Sequence, residues 1–274
     1  MIIDGHAHAL GEFSDSKKLE AKLDELQVDK IVLCPGASED PSVEPIKPKM
    51  KGNFLTKNAR IVFVSNIFLR RYSKALADRD TGNKYVYSLV EKLPERIIQF
   101  YWVNFRREGY LEELEENYRK WKFKGLKLHQ CVLPFTNDSE DMEKLSKFAA
   151  KNKLPIFIHV YNPKEADKLV ELGRKHPKTN YILAHMMGLE NVINKGKDLK
   201  NFYFDTSTYY IISKRRIKKA IEIFGADHVF LGSDSPLGYD NLKNNIIKIK
   251  EMDIPDKQKE LILGKGLAKL LGIK

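Results

Sequence analysis

Leu154-Pro155-Ile156-Phe157-Ile158-His159, followed by the amphipathic stretch Pro163–Lys175 and then the apolar run Asn180–His185, is the part of this chain that decides its fold. A short apolar run, a helix-length segment with apolar residues at helical spacing, and a second short run read as strand, helix, strand. Strands joined through helices lie parallel, with right-handed crossovers. The same rhythm extends both ways. Before this unit lie the runs Met1–His6, Lys30–Cys34, Arg96–Val103 and Lys124–Leu128; after it come Phe202–Asp205 and Asp227–Gly232. Helical patterns fill the gaps: Ser16–Gln27, with Leu19, Leu23 and Leu26 in register, then Asn83–Leu93, Tyr110–Lys122, Glu140–Lys151 and Ser213–Phe224. Eight runs in 274 residues predict one α/β domain over residues 1–274, a closed (β/α)8 TIM barrel. An open doubly wound sheet is the competitor, but no Gly-x-Gly-x-x-Gly follows the first run.

One connection breaks the rhythm. Residues 35–75, after strand two, carry Pro35, Pro41, Pro45 and Pro48, then Ile61-Val62-Phe63-Val64, which reads as an extra strand or an early strand three. Long βα connections lie at the mouth of a barrel, and this one reads equally as a lid insertion or as a decorated loop.

Composition narrows the function. The two cysteines, Cys34 and Cys131, form neither a disulfide framework nor a Cys-x-x-Cys site, which points to a reducing cytoplasm. No run is long enough to span a membrane, and the opening apolar run stops at Asp4. The formal charge of +11 would suit an acidic partner. The basic residues are scattered among acids, however, so a solvated Lys- and Glu-rich surface is the preferred reading over a nucleic-acid groove.

The histidines carry the chemistry. His6 and His8 are two apart on the first strand, so their imidazoles share a face. His129 ends strand four, His159 strand five and His185 strand six, while Asp234 of Gly232-Ser233-Asp234-Ser235-Pro236 ends strand eight. In a barrel these tips form one ring, on the face that bears active sites. A metal ion makes so compact a polar cluster tolerable. His176 and His228 fall elsewhere and read as structural.

Ile3-Asp4-Gly5-His6-Ala7-His8 resembles the opening of the amidohydrolase superfamily. Gly125–His129, Pro155–His159, Ala184-His185-Met186-Met187-Gly188 and Gly232–Pro236 resemble its amidohydrolase-2, or amidohydrolase-related, branch, which also holds the aminocarboxymuconate-semialdehyde decarboxylase type. The resemblance implies that His6, His8 and His159 are neutral metal ligands. It makes Asp234 a carboxylate ligand that orients or deprotonates the attacking water, and His185 the group that polarises substrate or positions that water. The competing readings are His185 as a direct ligand and Asp234 as a helix N-cap. Lys127 matches the strand-four lysine that is carboxylated between two metals in binuclear members. With His129 outermost on that strand, the reading favours one metal, His129 facing substrate or supporting the site, and Lys127 in a buried ion pair or on a substrate anion.

Such a site implies one divalent ion, zinc first, with manganese or iron as alternatives. The leading expectation is a hydrolase attacking an amide, ester or lactone carbonyl of a small organic substrate. Non-oxidative decarboxylation comes second. A TatD-type DNase comes third, disfavoured because strand four lacks the expected glutamate. A non-catalytic binding barrel comes last, since the ligand set is complete. A homo-oligomer is compatible with every one of these.

Overall fold

A computed structural model describes residues 1–36, 66 and 81–273, so nearly all of the 35–75 connection, including Ile61–Val64, lies outside the described residues. Eight parallel strands pair in sequence order: β1 Ile3–Ala9, β2 Lys30–Pro35, β3 Ile97–Trp102, β4 Gly125–His129, β5 Ile156–His159, β6 Tyr181–Leu183, β7 Phe202–Asp205 and β8 Val229–Phe230. The helices α1 Ser16–Glu25, α2 Asn83–Lys92, α3 Tyr110–Trp121, α4 Glu140–Asn152, α5 Pro163–Lys175, α6 Leu189–Lys195, α7 Lys214–Phe224 and α8 Asn241–Lys250 wrap the sheet. Two further helices, α9 Asp256–Glu260 and α10 Gly266–Leu271, end the chain's regular structure. This is the expected (β/α)8 barrel.

Alternation along each strand builds two cores. Val32, Cys34, Ile98, Phe100, Phe157, Ile182 and Phe230 fill the cylinder, and Leu267 and Leu271 of α10 plug its base. Their alternates, among them Ile31, Leu33, Leu126, Leu128, Ile156 and Ile158, face the helices. Each fully buried large side chain contributes about 1.5–3 kcal/mol. Helix entries are fixed locally. Asp15 caps α1 by accepting from the Lys17 and Lys18 amides, and Asn162 caps α5 with Pro163 in its first turn.

Two irregularities matter more for the site than the regular parts. The first is in β1, where the pairing with β2 slips between Asp4 and Ala7: Asp4 lies opposite Ile31 and Ala7 opposite Leu33, so three steps of one strand match two of the other. A one-residue bulge reverses which face each later side chain meets. It turns His8 onto the face of Cys34, inside the barrel, and His6 with it. At Gly5 an added Cβ would lie 2.8 Å from the Leu231 carbonyl oxygen, so only glycine fits there.

The second irregularity is the closing seam. β8 is two residues long, shorter than the expected Asp227–Gly232, and its irregular continuation completes the ring. Gly5 N donates to Leu231 O (2.8 Å), Asp234 N to His6 O (2.7 Å) and His8 N to Ser235 O (2.7 Å). A side-chain clip reinforces the seam. Asp4 Oδ1 accepts from Ser233 N (2.8 Å) and His6 N (3.2 Å), and Asp4 Oδ2 accepts from Ser233 Oγ (2.5 Å).

Candidate metal centre

The bulge in β1 and the seam beside it place His6, His8 and Asp234 together. His6 Nε2 and His8 Nε2 are 3.2 Å apart, and Asp234 Oδ1 lies 3.3 Å from the first and 3.4 Å from the second. The other ring nitrogens define what these atoms are. His8 Nδ1 donates to the Pro35 carbonyl (2.7 Å), and His6 Nδ1 donates to the Asp205 carboxylate (3.0 Å). With the proton on Nδ1, each Nε2 presents a lone pair. Two nitrogen lone pairs and a carboxylate oxygen therefore converge, a repulsive arrangement that a cation relieves and that the Lys127 ammonium, 2.9 Å from His6 Nε2, relieves only on one side. Carboxylate and carbonyl partners on the outer nitrogens are also the usual support for metal-binding imidazoles. The donor set fits a divalent metal.

Electrostatics point the same way. Burial, then the nearby Lys127 ammonium, pushes the His6 imidazole far below its usual range, so it is neutral and ready to ligate. Asp234 is not on a strand. It sits four residues past β8 with φ of 60°, and there its backbone N–H can reach across the seam.

His185 also lies off its strand. β6 ends at Leu183, and His185 and Met186 turn through positive φ. Arg216 of α7 braces this turn, with Nη2 donating to Met186 O (2.8 Å) and the guanidinium gripping Glu190. His185 Nδ1 donates to Ser207 O (3.0 Å), which leaves Nε2 facing Asp234 Oδ2 at 3.9 Å.

His159 is close by but outside the compact set of His6, His8 and Asp234. Its Nε2 donates to Asn66 Oδ1 (2.9 Å). Asn66 is fixed in that orientation because its amide nitrogen donates to Val160 O (3.1 Å) and Tyr161 O (2.8 Å). The His159 ring stacks on His129 at 3.9 Å, and His129 stacks in turn on Trp102. His129 Nδ1 accepts from the Cys131 amide (3.2 Å). Lys127 differs from the expected ion pair. Its fully buried Nζ meets His6 Nε2 at 2.9 Å and lies 4.3 Å from the centre of the Phe157 ring. Among the described residues no carboxylate is within ion-pair distance of it. Burial lowers its basicity. His176 and His228 serve structural ends, pairing with Glu143 and with the Phe202 carbonyl.

From the sequence, Asp205-Thr206-Ser207 at the end of the strand-seven run reads only as a candidate substrate contact at the mouth. The structure puts Asp205 behind both His6 and His185. The available signal was the position of Asp205 at the tip of β7, in the same ring as the other donors. Asn66 carried none.

Residues 3–273 match the Amidohydrolase family model, and the chain belongs to that metal-dependent enzyme family. Solved structures share the fold over almost the whole chain. 2,6-Dihydroxybenzoate decarboxylase from Rhizobium is 15% identical with a TM-score of 0.68, covering 99% of both chains. 4-Oxalomesaconate hydratase from Rhodopseudomonas palustris is 14% identical with a TM-score of 0.67, covering 99% of this chain and 96% of that one. Dihydroxybenzoic acid decarboxylase from Polaromonas sp. JS666, with bound manganese and 2-nitroresorcinol, is 17% identical with a TM-score of 0.66, over 99% and 96% of the two chains. Among curated proteins, none matches the sequence. No helix among the described residues is long and apolar enough to cross a membrane.

Proposed function

We propose that the protein is a metal-dependent hydrolase acting on an amide, ester or lactone carbonyl of a small organic substrate. The observation that carries this reading is the convergence of two imidazole lone pairs and the Asp234 carboxylate oxygen within 3.4 Å of one another. His6, His8 and Asp234 would hold the ion, and His159 would join them by exchanging its Asn66 partner. A bound divalent metal, zinc first on this nitrogen-rich set and manganese or iron otherwise, supplies Lewis-acid polarisation and acidifies a water from a pKa near ~16 to about 7.

The chain's own groups manage the proton. Asp234 Oδ1 faces His6 and His8, which leaves Oδ2 toward His185. A proton taken from water at Oδ2 can pass to His185 Nε2, whose lone pair faces it. The resulting imidazolium can then donate to the leaving oxygen or nitrogen. His129, at the end of β4 and stacked on Trp102 of β3, would be the side chain that meets substrate there. A small molecule suits this site better than nucleic acid. The basic surface is answered locally by acids, as in Lys120–Glu116, Arg174–Asp198 and Lys195–Asp167. Strand four reads Gly125-Leu126-Lys127-Leu128-His129, without the glutamate that a DNase of this architecture would carry there.

The test is metal analysis followed by parallel assays of lactones, esters and amides for hydrolysis and of carboxylic acids for carbon dioxide release. Expected is hydrolysis that stops on chelation, returns with zinc or manganese, and falls by about 10²–10⁴ in Asp234→Asn, the range for a lost general base. Carbon dioxide release without hydrolysis would transfer the assignment to a decarboxylase. A protein that takes up no metal on reconstitution would end the enzyme reading.

A further inference from the structure

Behind the metal centre lies a three-residue turn, Asp205-Thr206-Ser207, buried to the extent that none of the three is more than 2% exposed. Asp205 Oδ2 accepts from His6 Nδ1 (3.0 Å), from the His185 backbone N–H (3.3 Å) and from Ser207 Oγ, while Oδ1 accepts from Ser207 N (2.8 Å). Ser207 Oγ is 3.0 Å from His6 Nδ1 and 3.0 Å from His185 Nδ1, and Ser207 O is 3.0 Å from His185 Nδ1.

The hydrogens can be placed by counting donors. Ser207 has one hydroxyl proton, and it donates that hydrogen bond to the carboxylate beside it. Its oxygen then only accepts, and so does its carbonyl. Every neighbour of His6 Nδ1 and of His185 Nδ1 is therefore an acceptor. Both rings must carry their proton on Nδ1, and both must present Nε2 as a lone pair.

We propose that this turn is a shared positioning unit, in which Asp205 and Ser207 together impose one tautomer on His6 and on His185. The turn thereby couples cation capture at the first ring to proton transfer at the second. The inference rests on the hydrolase reading for its consequence but not for its hydrogen-bond logic. Asparagine cannot replace Asp205. Its single carbonyl oxygen can face the Ser207 amide or the three donors around Oδ2, and its NH2 then opposes a donor on the other side.

The test uses the full-length protein with 15N-labelled histidine, read by ring-nitrogen NMR at pH 8 without metal, together with zinc titration by calorimetry. In the wild type, His6 and His185 should both be Nδ1–H. In Asp205→Asn, His6 should lose that tautomer, and zinc affinity should fall 10–100-fold, the usual effect of removing a carboxylate behind a ligating histidine. Ser207→Ala keeps the carboxylate and the backbone, so it should weaken zinc less while shifting the ring signals of both histidines. A wild-type His6 protonated on Nε2 would overturn the proposal, as would wild-type affinity in Asp205→Asn or a Ser207→Ala shift confined to one ring. A protein with both rings Nδ1–H but no hydrolytic activity would leave the positioning unit standing and sink only the assigned reaction.

Discussion

Asp4 should decide how firmly the barrel closes. In Asp4→Ala the clip across the β1–β8 seam loses its acceptor. Ser233 N and Ser233 Oγ both keep the His6 carbonyl, each 3.2 Å from it, but the His6 amide loses Asp4 Oδ1. Leaving that one buried N–H short costs about 1–3 kcal/mol, or about 2 kcal/mol at the centre of the range. An unfolding entropy of ~2.1 cal/mol/K per residue over 274 residues turns that into a Tm loss of about 3–4 °C. Asp4→Asn should behave differently. Its carbonyl can take both amides, and its NH2 can donate to Ser233 Oγ, which mimics the protonated acid. Burial pushes the Asp4 carboxyl up to about 7, against the hydrogen bonds from Ser233 and His6 that favour the anion. The native state therefore holds a proton that the unfolded chain has released. Stability from this group is full below about pH 4 and is lost as pH rises through 7. A shift of about three units is worth roughly 4 kcal/mol. Calorimetry of metal-free protein should show Asp4→Asn matching the wild type at pH 5 and exceeding it at pH 8, with Asp4→Ala lower at pH 5. An Asp4→Ala Tm within 2 °C of wild type at pH 5, or an asparagine variant as damaged as the alanine one, would refute the clip.

Zinc at about a thousandfold its Kd should stabilise the wild type by about 4 kcal/mol; His8→Ala should lose both that rise in Tm and stoichiometric metal by elemental analysis. Gly232→Ala would drive a methyl group into the Asp205 carboxylate, so its zinc affinity should fall toward that of Asp205→Asn while its circular dichroism stays native. Arg216→Ala frees the Met186 carbonyl and should cost about 2 kcal/mol. Its kinetic signature should be a lower kcat at nearly unchanged KM, because His185 is the group displaced.

The strands were legible because each is a dense apolar run, and Phe202–Asp205 matches β7 to the residue. The helix Pro163–Lys175 was equally clear from its proline start and apolar stripe. What the pattern could not show was where regularity fails. Nothing in Ile3–Ala9 announces a bulge, since its cause is a partner strand and the Leu231 carbonyl, both distant in sequence. His185 and Asp234 read as strand tips but occupy positive-φ turns, and those conformations are imposed by Asp205, Arg216 and the seam. α6 and α8 went unread because no clear run bounds them. His159 was placed on the right strand, yet its ring nitrogen is engaged by Asn66, a residue whose partner no local signal identifies.

The closing seam makes one event of two. The stretch from Leu231 to Ser235 finishes the cylinder and also delivers a cation donor, so a chain whose outer strands have not met has no pocket to load. Metal uptake should therefore report completed folding: an ion added to partly folded protein would wait for the last joint, and once caught it would lock that joint shut.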